Sequence, residues 1–179
     1  MRIFVNTLLA VLLAITAGCV ALPLYNDGIE DPALRQIADR YEQVISDAHN
    51  DPDTSWQSGW FGNMWVHYSD DPQRGLCYEW KWLVHDGIAD TVHELGWQLR
   101  GIAVREGKSR EHHAVVVFNP QQLTAGELLE GKPGQAYVLD AWQQGKADIY
   151  ELRDWLGIYA TDSTPRIHVV LDKQSRVQR

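Results

Sequence analysis

The run His112-His113-Ala114-Val115-Val116-Val117-Phe118, closed by Asn119-Pro120, restricts this chain more than any other stretch. Consecutive β-branched residues favour a strand, and a strand without a polar face needs cover on both sides. The fold must therefore place other layers above and below a sheet. The chain has the material: 179 residues, 45% of them hydrophobic and eight of them Trp, suffice for one domain with a substantial core.

Two helices are written in the apolar spacing. Asp31-Pro32 reads as an N-cap followed by proline at the first helical position. Leu34, Ile37, Ala38, Tyr41, Val44, Ile45 and Ala48 then form one stripe of about four turns, ending near His49-Asn50-Asp51-Pro52. A second stripe begins after Gly75-Leu76: Cys77, Trp80, Lys81, Val84, Ile88, Thr91 and Leu95, with Gly96 as the stop. Gly87 in its middle costs roughly 1 kcal/mol against Ala, which implies close packing or a kink there. His85 and His93 on this helix and His49 on the first are expected at the surface or at helix ends.

Strands are expected at Trp97 to Val104, at His112 to Phe118 and at Ala136 to Trp142, with a charged hairpin turn around Gly107 between the first two. The stretch 121–134 is turn-rich, with one helical turn near Ala125 to Leu129. Residues 148–157 suggest a short helix, and Arg166 to Leu171 a last strand. Residues 53–73 carry Trp56, Trp60, Phe61, Trp65 and Tyr68 among glycines and fit neither period, so an irregular segment is expected. Its rings either plug one end of the core or wall a cleft. The fold class is α+β, with a Cys-bearing helix packed on an antiparallel sheet.

The N-terminus reads as an export signal. Arg2 is followed by a nearly unbroken apolar run from Ile3 to Ala17, short for a membrane span. Thr16-Ala17-Gly18-Cys19 resembles a bacterial lipobox, which implies lipidation of Cys19. The expected organisation is a signal segment over 1–18, a tether over 19–30 and one domain over 31–179. The expected location is periplasmic, with the membrane met through the N-terminal lipid only. Plain secretion with cleavage after Ala21, and a retained anchor, are the alternatives. A formal charge of −8 argues against a nucleic-acid backbone as partner.

With Cys19 lipidated or removed, Cys77 is a lone thiol in an oxidising compartment, either buried or used. It falls in the first turn of a helix, where unpaired N–H groups and the helix dipole favour a thiolate. A thiolate nucleophile needs a base, and the base needs a group that fixes its tautomer. Antiparallel pairing of the His strand with the strand ending in Asp140 brings both beside the Cys helix.

Gly75-Leu76-Cys77 opening a helix, His112-His113-Ala114-Val115-Val116-Val117 as a strand and Tyr137-Val138-Leu139-Asp140-Ala141-Trp142 as the next resemble the transglutaminase-like cysteine protease superfamily. The resemblance covers residues 74–142. It implies a papain-like core and a triad of Cys77 as nucleophile, His113 as base and Asp140 as orienting carboxylate, with His112 the alternative base. It departs from the family's usual residues at Leu76, Tyr78 and Glu79. The implied activity is acyl transfer on a peptide or protein amide, with water or an amine as acceptor, and with no metal or cofactor. Trp60, Trp65 and Gln73 are candidate substrate or oxyanion contacts. A catalytically inactive binding or assembly lipoprotein is the alternative function, and a zinc site on Cys77, His112 or His113 and Asp140 a weaker one. The sequence leaves the oligomeric state open.

Overall fold

The computed structural model describes residues 22–24, 28–68, 73–108 and 110–170. The expected signal segment and Cys19 lie outside them. In chain order the elements are α1 (Pro32–His49), β1 (Ser55–Trp56), α2 (Gly59–Tyr68), β2 (Gln73–Arg74), α3 (Cys77–Glu94), β3 (Gln98–Val104), β4 (His112–Phe118), a 3-10 turn (Ala125–Glu130), β5 (Ala136–Leu139), β6 (Ile149–Glu151), α4 (Leu152–Tyr159) and β7 (Arg166–His168).

Five strands form one antiparallel sheet in the order β6-β5-β4-β3-β7. The valine strand β4 is central and every residue in it is buried. Alternation along it supplies two cores. Val115 and Val117 face α1 and α3, meeting Ile37, Tyr41, Trp80, Val84 and Ile88. Ala114, Val116 and Phe118 face the other way, onto Leu128, Leu152 and Trp155. Helices thus cover an antiparallel sheet on both sides, as a strand without a polar face requires.

The two long helices follow their stripes. Asp31 Oδ1 accepts the N–H groups of Ala33 (2.8 Å) and Leu34 (3.0 Å), so it caps α1 as its position predicts. All seven residues of the α1 stripe are buried. In α3 the buried set is Cys77, Trp80, Lys81, Val84, Ile88 and Val92. Val92 replaces the expected Thr91 and Leu95 because the face turned to the sheet drifts as the helix lengthens.

Residues 53–73 differ from the sequence expectation. They hold the ten-residue helix α2 between the two-residue parallel strands β1 and β2. The helix escapes the spacing argument because its large residues face outward and Gly62 is its buried residue. Strand β6 was likewise not anticipated, since three residues are too few to show a period. Its presence shifts the following helix to Leu152–Tyr159.

Gly87 tests packing against propensity. A Cβ there would lie 2.5 Å from Val44 Cγ2 on α1, and Arg40 Nε donates to the Gly87 carbonyl at 2.9 Å. Helix propensity alone says Gly87→Ala should stabilise by about 1 kcal/mol. The contact with Val44, a stiff side chain, reverses the sign. Chemical denaturation should show Gly87→Ala destabilised by about 1–3 kcal/mol.

Candidate functional site

The entry to α3 is built by Gly75 and Glu79. Gly75 has φ 149°, and a Cβ on it would sit 2.3 Å from the Gln57 carbonyl oxygen, so only glycine fits. Trp80 Nε1 donates to the same carbonyl at 2.8 Å and locks this corner to the helix. Glu79 reaches back, its Oε2 accepting the N–H groups of Gly75 (2.9 Å) and Leu76 (3.1 Å). Cys77 is therefore the first residue of a firmly held helix. It is 7% exposed, and its Sγ lies 3.7 Å from the Glu111 carbonyl oxygen at the start of β4.

Asp140 meets His112, not His113. His112 Nε2–H donates to Asp140 Oδ2 at 2.6 Å, and both side chains are buried. Trp155 Nε1–H donates to the same oxygen at 2.8 Å. The expectation for His113 fails on the period-two alternation of β4. Val115 pairs with Leu139, both facing α1 and α3. Asp140, one step on, faces the opposite side with Ala114 and His112. His113 points with Val115 toward α3.

His112 sits among three aromatic rings: Tyr159 (centroids 4.7 Å), Trp142 (4.9 Å) and Trp155 (5.6 Å, stacked). Burial pulls its pKa down, but the Asp140 charge and hydrogen bond, together with the Cys77 side chain, push it up to about 9. Its Nδ1 is buried and makes no hydrogen bond of regular geometry. Asp140 occupies Nε2, so Nδ1 is the nitrogen left to interact with the thiol. Burial raises the Asp148 carboxyl to about 6, with help from the Asp140 charge. The backbone of Asp148 accepts the Asp140 N–H at 3.0 Å.

His113 belongs to a second polar group. Its Nε2–H donates to Glu111 Oε1, and its ring stands edge-on to His168 at 6.3 Å. Lys81, buried one turn beyond Cys77, places Nζ 3.3 Å from His168 Nε2. The His168 ring lies over Gly101, where a Cβ would be 2.3 Å from its Nε2. Burial lowers the pKa of both His113 and His168, and the Lys81 charge lowers each further. Both are thereby pushed toward the neutral form, the reverse of His112.

Of the other expected contacts, Trp60 and Trp65 are exposed on α2, and Gln73 lies half-buried on β2 opposite Ser55. Their link toward His112 is Trp142, whose carbonyl accepts the Gly59 N–H at 2.6 Å and whose Nε1–H donates to Asn63 Oδ1 at 2.9 Å. A groove of about 880 Å³ between α1 and α3 is lined by Arg40, Asp47, Trp56, Glu79 and Trp82 among others, and neither Cys77 nor His112 borders it. Among the described residues no three His, Cys, Asp or Glu side chains are placed to hold a metal ion.

Sequence reading missed Trp142, Trp155 and Tyr159. Trp155 and Tyr159 are spaced i, i+4 on α4, a readable signal for one shared face. Nothing local in the sequence ties that face to Asp140. No protein-family model, curated protein or solved structure matches the chain.

The raised His112 pKa links stability to pH. The folded state holds this proton more tightly than the unfolded chain, where histidine titrates near 6.5. The stabilisation is complete below pH 6.5 and is lost as pH rises through about 9. Denaturation midpoints should fall across that window, by about 3 kcal/mol in free energy from this group. Asp140→Asn should be less stable at pH 6 and show a flatter profile from pH 6.5 to 9.5.

Proposed function

We propose that this chain is a cysteine-dependent acyl-transfer enzyme, a peptidase, amidase or transglutaminase-like protein of the cysteine protease type its sequence resembles. The observation that carries the reading is the buried His112, hydrogen-bonded to Asp140 through one nitrogen and raised in pKa by Asp140 and by the Cys77 side chain. This is the division of labour that a nucleophile, base and orienting carboxylate require, with His112 in the role expected of His113.

In the reaction, Cys77 acts as a thiolate beside the His112 imidazolium, the thiol proton standing on Nδ1 while Asp140 holds Nε2–H. The sulfur attacks the carbonyl carbon of a peptide or protein amide. The oxygen takes up negative charge, which backbone N–H groups of the first turn of α3 would stabilise. As the C–N bond breaks, His112 Nδ1–H protonates the leaving amine and a thioester remains on Cys77. Water, or an acceptor amine, then gives a proton to Nδ1 and attacks the thioester carbonyl. The acid or new amide departs, and Cys77 is restored.

The apolar run before Cys19 supports export, and the lipobox-like stretch supports a lipoprotein facing the periplasm from a bacterial membrane. No helix among the described residues is long and apolar enough to cross a membrane. The inactive binding protein remains the second reading, favoured by the low exposure of Cys77.

Alkylation of Cys77 by iodoacetamide near neutral pH, followed by intact mass, separates the two. A working pair should make the native chain react roughly a hundredfold faster than His112→Ala, while His113→Ala stays close to native. Cys77→Ala should take up no label at this position. Native, His112→Ala and His113→Ala chains all labelling at the same slow rate would assign the inactive reading.

A further inference from the structure

Helix α2 reverses the usual amphipathic arrangement. Gly59, Gly62, Asn63 and Val66, spaced i, i+3, i+4 and i+7, are the buried or half-buried positions. Trp60, Phe61, Met64, Trp65 and Tyr68 project outward, from 41% exposed at Met64 to 84% at Tyr68. Gly62 lies so close to Gln57 that a Cβ would fall 3.0 Å from the Gln57 Cβ, so the small residues are what let the helix dock. The helix contains no Lys, Arg, Asp or Glu, in a chain where 22% of residues are charged. A contiguous exposed apolar surface of this kind is built to be covered.

We propose that α2 is a membrane-docking helix that lays its aromatic face into the interfacial layer of a lipid bilayer. Trp and Tyr favour this layer because their rings are apolar and their N–H and O–H groups reach water or headgroups. The absence of charge matches a zwitterionic surface, whereas the formal charge of −8 disfavours an anionic one. The geometry of chain entry agrees. Leu24 N–H donates to the Ile149 carbonyl at 2.6 Å, at one end of the β5–β6 connection, and α2 is hydrogen-bonded to Trp142 at the other end. Only six residues separate Leu24 from Ala17, the end of the apolar run. Fully extended they reach about 20 Å, so a bilayer holding that run or a lipid on Cys19 lies within range of this same side. Membrane contact would then involve the folded domain itself and not the N-terminal lipid alone. The inference is independent of the chemistry at Cys77.

The test uses the full chain with phosphatidylcholine vesicles whose acyl chains carry bromine near the headgroup. Bromine quenches only indole emission that enters the bilayer, so the readout is independent of any N-terminal anchor. Native chain should show a blue shift and loss of emission, and Trp60→Phe/Trp65→Phe should lose that quenched component while keeping its circular dichroism. Cys77→Ala should be quenched as the native chain is, which separates this result from the fate of the acyl-transfer reading. Native emission that neither shifts nor is quenched on the vesicles, or quenching that persists undiminished in Trp60→Phe/Trp65→Phe, would overturn the proposal. If the native chain then also forms a concentration-dependent dimer that Phe61→Ser/Trp65→Ser abolishes, the face is an interface between copies of this chain.

Discussion

A strand with no polar side cannot lie at a surface, and this constraint on β4 organises the molecule. It places β4 at the centre of the sheet, flanked by β3 and β5, and demands helices on both faces. It also fixes what happens at its ends. The backbone leaves the core at Glu111, and the first two side chains of the strand are histidines committed to opposite faces. The candidate site exists because one of those faces carries the end of β5 while the N-terminus of α3 reaches the same corner.

The adjacent histidines show how one residue of offset changes chemistry. His112 finds the Asp140 carboxylate, itself held by the Trp155 indole N–H, and its pKa is pushed up to about 9. Burial first, and then the Lys81 charge, make His113 lose its proton more readily, even though Glu111 accepts its hydrogen bond. Two adjacent, identical side chains are thus pushed in opposite directions in pKa. The Lys81, Glu111, His113 and His168 group is best understood as a compensated polar cluster under the first turn of α3. It brings charge of both signs into the packing and steadies the Glu111 backbone on which the thiol rests.

Long periodic segments were legible in the sequence. The α1 stripe, the α3 stripe from Cys77 and the β4 run each repeat a pattern often enough to identify the element and its buried face. So was the meeting of a histidine of β4 with Asp140, because antiparallel neighbours bring a strand's start beside its partner's end. The choice between His112 and His113 was not legible. It depends on the pairing of Val115 with Leu139, and register is set by the whole sheet rather than by the dipeptide. Helix α2 was hidden for a related reason: spacing arguments assume that large apolar residues face inward, and here the small ones do. The aromatic surround of His112 comes from α4 and the β5–β6 connection, which lie 30 to 47 residues further along the chain than the histidine.

The rings around His112 carry one more consequence. An imidazole in solution exchanges its two nitrogens by turning about the Cβ–Cγ bond. Set among Tyr159, Trp142 and Trp155, with one nitrogen hydrogen-bonded to Asp140, this ring would have to break that bond to make the half-turn. The Asp140 bond keeps Nε2 in place and Nδ1 turned from it, so a proton that arrives at Nδ1 leaves from Nδ1. The corner behaves as a one-door vestibule, and traffic through it is ordered by the architecture rather than by chance reorientation.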